Sequence, residues 1–289
     1  MYNLLKPEYL WRPGQILRRL SFKPSNDATL FLPWNCTINA CSEENIGRSI
    51  ATQGVYDLSV TEAIMRLTDT DDTALDVGAN IGYMSLVLAL SAGPRGRVFC
   101  FEPNPDLLPR LHANVNSWKT LPIAPIEVKT IALSDRDGQG YLGFPAGYDR
   151  NSGVASLEVE GDIPVKLCRL DSLEISNAGV MKVDVEGHEK TVFSGAQNLL
   201  AGRLIRDILF EEHQPYPAGS HRALLDHGYQ IFRLTRSTWR PLLLPPEAAP
   251  RQTYLPSNFL ATADAPRARS RFEPWGWSAL RNDPRRNPN

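Results

Sequence analysis

The chain has no surplus of either charge and little sulfur. Over 289 residues, 31 Lys and Arg face 32 Asp and Glu, a formal net charge of −1. That balance lacks the excess of cations that bulk electrostatic binding to nucleic acid requires. The longest strongly apolar run, Met84 to Ala92, is far shorter than the roughly 20 residues that cross a bilayer, so no transmembrane helix is expected. The N-terminus, MYNLLKPEYLWRPGQ, has no uninterrupted apolar core behind a basic start and does not read as a secretory signal. A cytoplasmic location is therefore expected, with neither nucleic acid nor membrane as partner. Only four cysteines occur, Cys36, Cys41, Cys100 and Cys168, with no CxxC pair. Buried free thiols are expected, with a Cys36–Cys41 disulfide as the alternative. The 42% hydrophobic content against 22% charged excludes whole-chain disorder and is enough for one large core, or a core with a small appendage.

From about residue 60 onward, helical and strand periods alternate, the signature of an α/β sheet. Helices are expected at Thr61–Leu67, Gly82–Ser91, Pro105–Ser117, His188–Leu200 and His221–His227. Strands are expected at Thr73–Val77, Arg97–Glu102, Ile126–Ala132, Gly140–Phe144, Ile163–Arg169, Val180–Val185, Arg206–Glu211, Tyr229–Leu234 and Pro241–Leu244. Residues 1–60, with turn clusters between short apolar stretches, read as an N-terminal cap region, and residues 61–260 as the main domain. Residues 261–289 carry many Arg and Pro with little periodicity and read as a flexible basic tail, which Trp275 and Trp277 could dock onto the body.

The strand at 73–77 runs into Asp76-Val-Gly-Ala-Asn-Ile-Gly82-Tyr, a turn in which Gly78 and Gly82 let the backbone bend and a ligand approach main-chain atoms. The next strand ends at Glu102, 102 − 82 = 20 residues beyond the second glycine. That is the spacing of an acid that accepts ribose hydroxyls. Asn80 stands where a dinucleotide fingerprint has its middle glycine, which disfavours a pyrophosphate. S-adenosylmethionine has ribose, adenine and an amino-acid end without phosphate, and it fits the turn and the acid. Asp76 offers a negative charge to its cationic end, or else caps the turn. Ser134 or Asp135, in IALSD, is a candidate for the adenine amino group, or a plain strand-end turn.

The most specific stretch is Val180-Met-Lys-Val-Asp184-Val-Glu186-Gly-His188-Glu189, a strand that delivers carboxylates to the edge where open α/β sheets bind ligands. A second polar cluster, Glu211-Glu212-His213, ends the following strand. Together these supply candidates for a general base, because an acceptor hydroxyl must lose its proton as it attacks a methyl group. His213 is the first choice and His188 the second. Asp184, Glu186, Glu211 and Glu212 would also suit a hard divalent cation, although the expectation is a metal-free site.

The ordered set DVGANIGY, FEPNP, IALSD, KVDVEGHE and FEEH resembles the FkbM family of S-adenosylmethionine-dependent methyltransferases. LPW at 32–34, IGRSIATQGVYD at 46–57 and NSGVASL at 151–157 extend the likeness over roughly residues 5–245. The resemblance implies a Rossmann-like class I methyltransferase sheet, mostly parallel and seven-stranded with an antiparallel hairpin, and transfer most often to a hydroxyl of a sugar, polyketide or other natural product. It implies Gly78, Asn80 and Gly82 as the cofactor loop, Glu102 as the ribose acid and Asp135 as the adenine contact. Asp184 and Glu186 fall on the family's acidic segment, Tyr56 and Glu62 near the methionine end, and Asn151 and Ser152 on the acceptor side. The alternatives are N-methylation of a peptide side chain, a nicotinamide-dependent oxidoreductase, which the incomplete glycine pattern disfavours, and a cofactor-binding partner without catalysis. The acceptor itself has no code in one chain.

Overall fold

The computed structural model describes residues 6–144, 156–157, 161–249 and 257–281. Two short helices, α1 (Pro7–Leu10) and α2 (Gly14–Leu20), lead into an antiparallel hairpin of β1 (Ala28–Phe31) and β2 (Thr37–Ala40). Helices α3 (Asn45–Gln53) and α4 (Leu58–Leu67) follow. Asp57 starts α4 by accepting the backbone N–H groups of Ser59 and Val60 at 3.1 Å each, donors that a first helical turn otherwise leaves open.

The sheet then begins with β3 (Thr73–Val77), α5 (Tyr83–Ala92), β4 (Arg97–Phe101), α6 (Leu108–Trp118) and β5 (Ile126–Lys129). Strands β6 (Ala132–Leu133), β7 (Gly138–Leu142) and β8 (Ile163–Cys168) form a separate three-stranded sheet. The chain returns through β9 (Ala178–Val183), α7 (Glu189–Ser194), α8 (Gln197–Ala201), β10 (Ile205–Glu211) and α9 (Gly219–Leu225). It finishes with β11 (Gln230–Arg236), β12 (Pro241–Leu244), β13 (Asn258–Thr262) and α10 (Ala265–Phe272).

The main sheet has the order β12-β11-β13-β10-β9-β3-β4-β5. From β10 to β5 neighbours are parallel, whereas β13 is antiparallel to β10 and β11, and β12 to β11. This is a Rossmann-like α/β arrangement with a mixed sheet. It has eight strands rather than seven because Pro241–Leu244 pairs along the outer edge of β11. The central strands alternate between two cores, as side chains of a strand must. Ala74, Val98, Val180 and Leu209 enter one core, and Leu75, Phe99, Met181 and Ile208 the other. The four cysteines are free and buried. Among the described residues, no helix is long and apolar enough to cross a membrane.

Three expectations need correction. The helix expected over His188–Leu200 is broken at Gly195, between α7 and α8, where the backbone packs so closely on the carbonyl oxygen of Ser134 that a Cβ would lie 1.9 Å from it. The strand expected over Ile126–Ala132 divides into β5 and β6, which join different sheets. The flexible tail from residue 261 is replaced, as far as Arg281, by folded structure. The boundary at 260/261 falls inside β13, whose five residues are all buried, and Trp277 is fully buried with its Nε1 donating to the Thr238 carbonyl at 3.0 Å.

Candidate functional site

The order of strands reverses between β3 and β9, and such a switch point opens a crevice at the carboxyl ends of the strands. The β3–α5 turn and the β9–α7 turn meet there. Gly78, at φ +79°, approaches the second turn so closely that a Cβ would stand 1.9 Å from the carbonyl oxygen of Asp184, so only glycine fits. The crevice opens into a cavity of about 1250 Å³. Its wall includes Gly78, Asn80 and Tyr83 from the first turn, Glu102 and Asn104 beyond β4, and Ile131–Leu133. Asp184, Glu186 and His188 line it from the second turn, with Tyr56 and residues of the N-terminal hairpin beside them.

Glu102 is buried, and its two oxygens accept the backbone N–H groups of Asn80 at 2.8 Å and Asn104 at 2.9 Å. Burial nevertheless pushes its carboxyl up to about 7, against the pull of those hydrogen bonds. A carboxylate has about four lone-pair positions, so acceptor capacity remains on the cavity side. Two buried polar atoms on the same wall lack partners, Asn80 Oδ1 and Asn104 Nδ2. Asn104 Oδ1 accepts from the N–H of Asp106 at 3.0 Å, which orients the amide and makes the unpaired atom a donor. One acceptor and one donor beside an acid suit a ribose-bearing ligand, whose hydroxyls and ring atoms offer both.

Opposite them lies Lys182, buried on β9 in register with Asp76 of β3. Its Nζ stands 3.2 Å from Asp184 Oδ2, 3.7 Å from Asp76 Oδ1 and 3.2 Å from the Gly78 carbonyl oxygen. Burial alone would lower the lysine, but Asp184 and Asp76 outweigh it and hold its ammonium above the ordinary range. Glu186, at φ +52°, is raised by burial and then by the neighbouring Asp184. His188 is buried, with Nε2 3.2 Å from Ser134 Oγ.

Several expected residues lie elsewhere. Asp76 is completely buried behind the wall, where Ser85 Oγ donates to it at 2.5 Å, so its charge is directed at Lys182. Gly82 precedes α5 and, like Ser134 and Asp135, does not line the cavity. Asp135 instead pairs with Arg136 on the surface. Glu62 is wholly buried in α4: one oxygen takes Arg66 Nε at 2.7 Å and the other the N–H of Ala279 at 2.8 Å, so it anchors the C-terminal segment. His213 is 73% exposed, 3.3 Å from Glu211 and off the cavity wall. Asn151 and Ser152 lie outside the described residues. Lys182 and Asn104 were not assigned from sequence. The two-residue spacing to Asp184 put Lys182 on the same strand face, and Asn104 stood two places after Glu102. Among the described residues, no group of three or more His, Cys, Asp and Glu is arranged to hold a metal ion.

A glycine turn and an acid at the switch point of an α/β sheet define a nucleoside-cofactor enzyme. Residues 76–231 match the family described as Methyltransferase FkbM domain, more than half of the chain. The chain belongs to the FkbM family and is an S-adenosylmethionine-dependent methyltransferase. It is similar to the hexuronic acid methyltransferase AglP of Haloferax volcanii, 32% identical over 176 residues that cover 60% of this chain and 68% of that protein. The 2-O-methyltransferase NoeI of Sinorhizobium fredii is 26% identical over 160 residues, 48% of this chain and 63% of that one. The solved FkbM methyltransferase of Methylobacillus flagellatus KT shares 14% identity at a TM-score of 0.44, over 66% of this chain and 43% of that one.

Proposed function

We propose that the chain methylates a hydroxyl oxygen of a small, sugar-like acceptor, holding its cofactor at the Gly78 turn, Asn80, Glu102 and Asn104. The observation that carries this reading is one cavity reaching from Asn80 and Glu102 to Asp184, Glu186 and His188. Its volume of about 1250 Å³ exceeds the roughly 300–1,000 Å³ typical of a single small-ligand site, leaving room for cofactor and acceptor together. S-adenosylmethionine, when bound, supplies the electrophilic methyl group on its sulfonium. Glu102 takes the ribose hydroxyls on the lone pairs its backbone partners leave, and the unpaired atoms of Asn80 and Asn104 gain partners. Lys182 pairs with Asp184 at 3.2 Å at the junction of the two turns.

Glu186 is the base in this reading, in place of His213. It lines the cavity, and a carboxylate whose affinity for a proton is raised by burial and by the neighbouring Asp184 is a stronger base than an ordinary one. The names of two relatives, one acting on hexuronic acid and one a 2-O-methyltransferase, support a sugar oxygen over a peptide nitrogen. The test is calorimetric titration with S-adenosylhomocysteine, then incubation with S-adenosylmethionine and a panel of hexose and hexuronate glycosides, with the methylated atom located by NMR. Binding followed by an O-methyl product is expected. No binding at millimolar ligand defeats the site assignment, and a methylated peptide amide with no methylated sugar defeats the acceptor class.

A further inference from the structure

The N-terminal helix α2 carries the most exposed large aliphatic side chains of the described residues. Leu17 is 70% and Leu20 79% exposed, and their i, i+3 spacing puts them on one face of α2. Leu10 and Trp11, at the end of α1, are also exposed. Trp11 links this segment to a second exposed element: a Cβ on Gly276 would stand 3.5 Å from Trp11 Cη2, and the N–H of Gly276 donates to the carbonyl of Trp239 at 2.8 Å. Trp239 is 52% and Trp275 66% exposed, with Arg240 over the Trp275 ring. Buried Trp277 is the next residue but one after Trp275, so the chain here sends one indole into the core and the other to solvent.

The charge along the segment that carries α1 and α2 is one-sided, unlike that of the whole chain. Between residues 6 and 23 the cations are Lys6, Arg12, Arg18, Arg19 and Lys23, of which Arg18 and Lys23 are exposed and the other three half-buried, and the lone acid is Glu8. Glu8 is buried against Arg236 at 2.6 Å and shows no charge to the outside. The Arg19 guanidinium bonds the Tyr9 hydroxyl, which ties α2 back to α1. Among the described residues next to Trp275 in sequence, Glu273 is the exposed acid.

We propose that this face docks on an anionic lipid surface, a peripheral contact that departs from the expectation of no membrane partner. Leucines standing out from a short helix, indoles at the level of the polar boundary and flanking arginines are what an interfacial contact uses: the apolar side chains enter the acyl boundary and the cations meet lipid phosphates. The contact would hold the methyltransferase beside acceptors presented at a membrane, and it is independent of the reading of the cavity.

The test is co-sedimentation of the full chain with vesicles of phosphatidylglycerol and phosphatidylcholine against vesicles of phosphatidylcholine alone. Binding to the anionic vesicles, weakened by added salt because exposed charges are screened, is expected. Leu17→Glu/Leu20→Glu should reduce that binding at least about tenfold, since two inserted leucines are lost and two like charges to the lipid are added. Both positions are exposed, so the melting temperature should stay at the wild-type value. No binding of the wild-type chain to anionic vesicles overturns the proposal, as does equal binding by the double variant. A concentration-dependent dimer on size exclusion that the double variant abolishes, without vesicle binding, overturns it in favour of a self-interface.

Discussion

Lys182 Nζ lies 3.2 Å from Asp184 Oδ2, and the same ammonium reaches across to the Gly78 carbonyl at 3.2 Å. One buried cation therefore couples the two turns that meet at the switch point. Without it, Asp76 and Asp184 would be left as neighbouring carboxylates, one of them fully buried.

Lys182→Met is expected to destabilise the chain by about 3–5 kcal/mol, the scale for removing one partner from a buried ion pair. Urea denaturation measures this directly. The loss should shrink at low pH, where Asp76 can accept a proton, since burial already raises that carboxyl. A loss under about 1 kcal/mol would show that Lys182 is not the counter-charge of the site.

The Glu102 carboxyl, pushed up to about 7 by burial, gives ligand binding a pH dependence. Its folded pKa exceeds its unfolded one, so its contribution to the stability of the ligand-free chain is present at low pH and is lost as pH rises through about 7. Ligand affinity runs the other way, because ribose hydroxyls donate to the ionised carboxylate. Affinity for S-adenosylhomocysteine should therefore fall as pH is lowered through 7, by at most about tenfold per pH unit for one proton. Glu102→Gln should bind more weakly by about 1.5–3 kcal/mol at pH 8 and lose the dependence. A flat profile for the wild-type chain in calorimetry would remove Glu102 from the ribose contact.

Glu186→Gln should lower turnover by about 10²–10⁴-fold, the range for loss of a general base, with affinity for S-adenosylhomocysteine little changed. His213→Ala should turn over near the wild-type rate, because that ring is exposed and off the cavity wall. The reverse pattern in steady-state kinetics would return the base to His213.

Trp277→Ala is expected to cost about 3–5 kcal/mol, as for other fully buried aromatic residues, read from the denaturation midpoint. Its ring is 0% exposed and its N–H is bonded to Thr238. An unchanged midpoint would mean that the segment after β13 does not belong to the folded body.

Local signals carried much of this protein. Alternating periods and the glycine turn were enough to place β3, α5, β4 and β9 within a residue or two and α6 within three, and Glu102 was legible at the end of β4 because its distance from Gly82 is set by one helix and one strand. Those quantities depend on neighbours along the chain. Local signals failed where a residue's role depends on what another part of the chain brings to it. Asp76 looked like a cofactor contact until the register of β3 with β9 set Lys182 beside it. Glu62 looked like an active-site acid until Ala279 donated to it across 217 positions of sequence. His213 ended a strand at the right edge but points to solvent. The C-terminal segment had no period to reveal it, because β13 is a five-residue strand whose burial is supplied by β10 and β11 on either side. The sequence by itself determined the order of βα units and the place of Glu102 at the end of β4, since backbone geometry and side-chain period act locally. The occupants of the cavity wall, the partner of each buried charge and the fate of the last strand were decided only when strands distant in sequence paired, because burial and electrostatic compensation are properties of what lies adjacent in space.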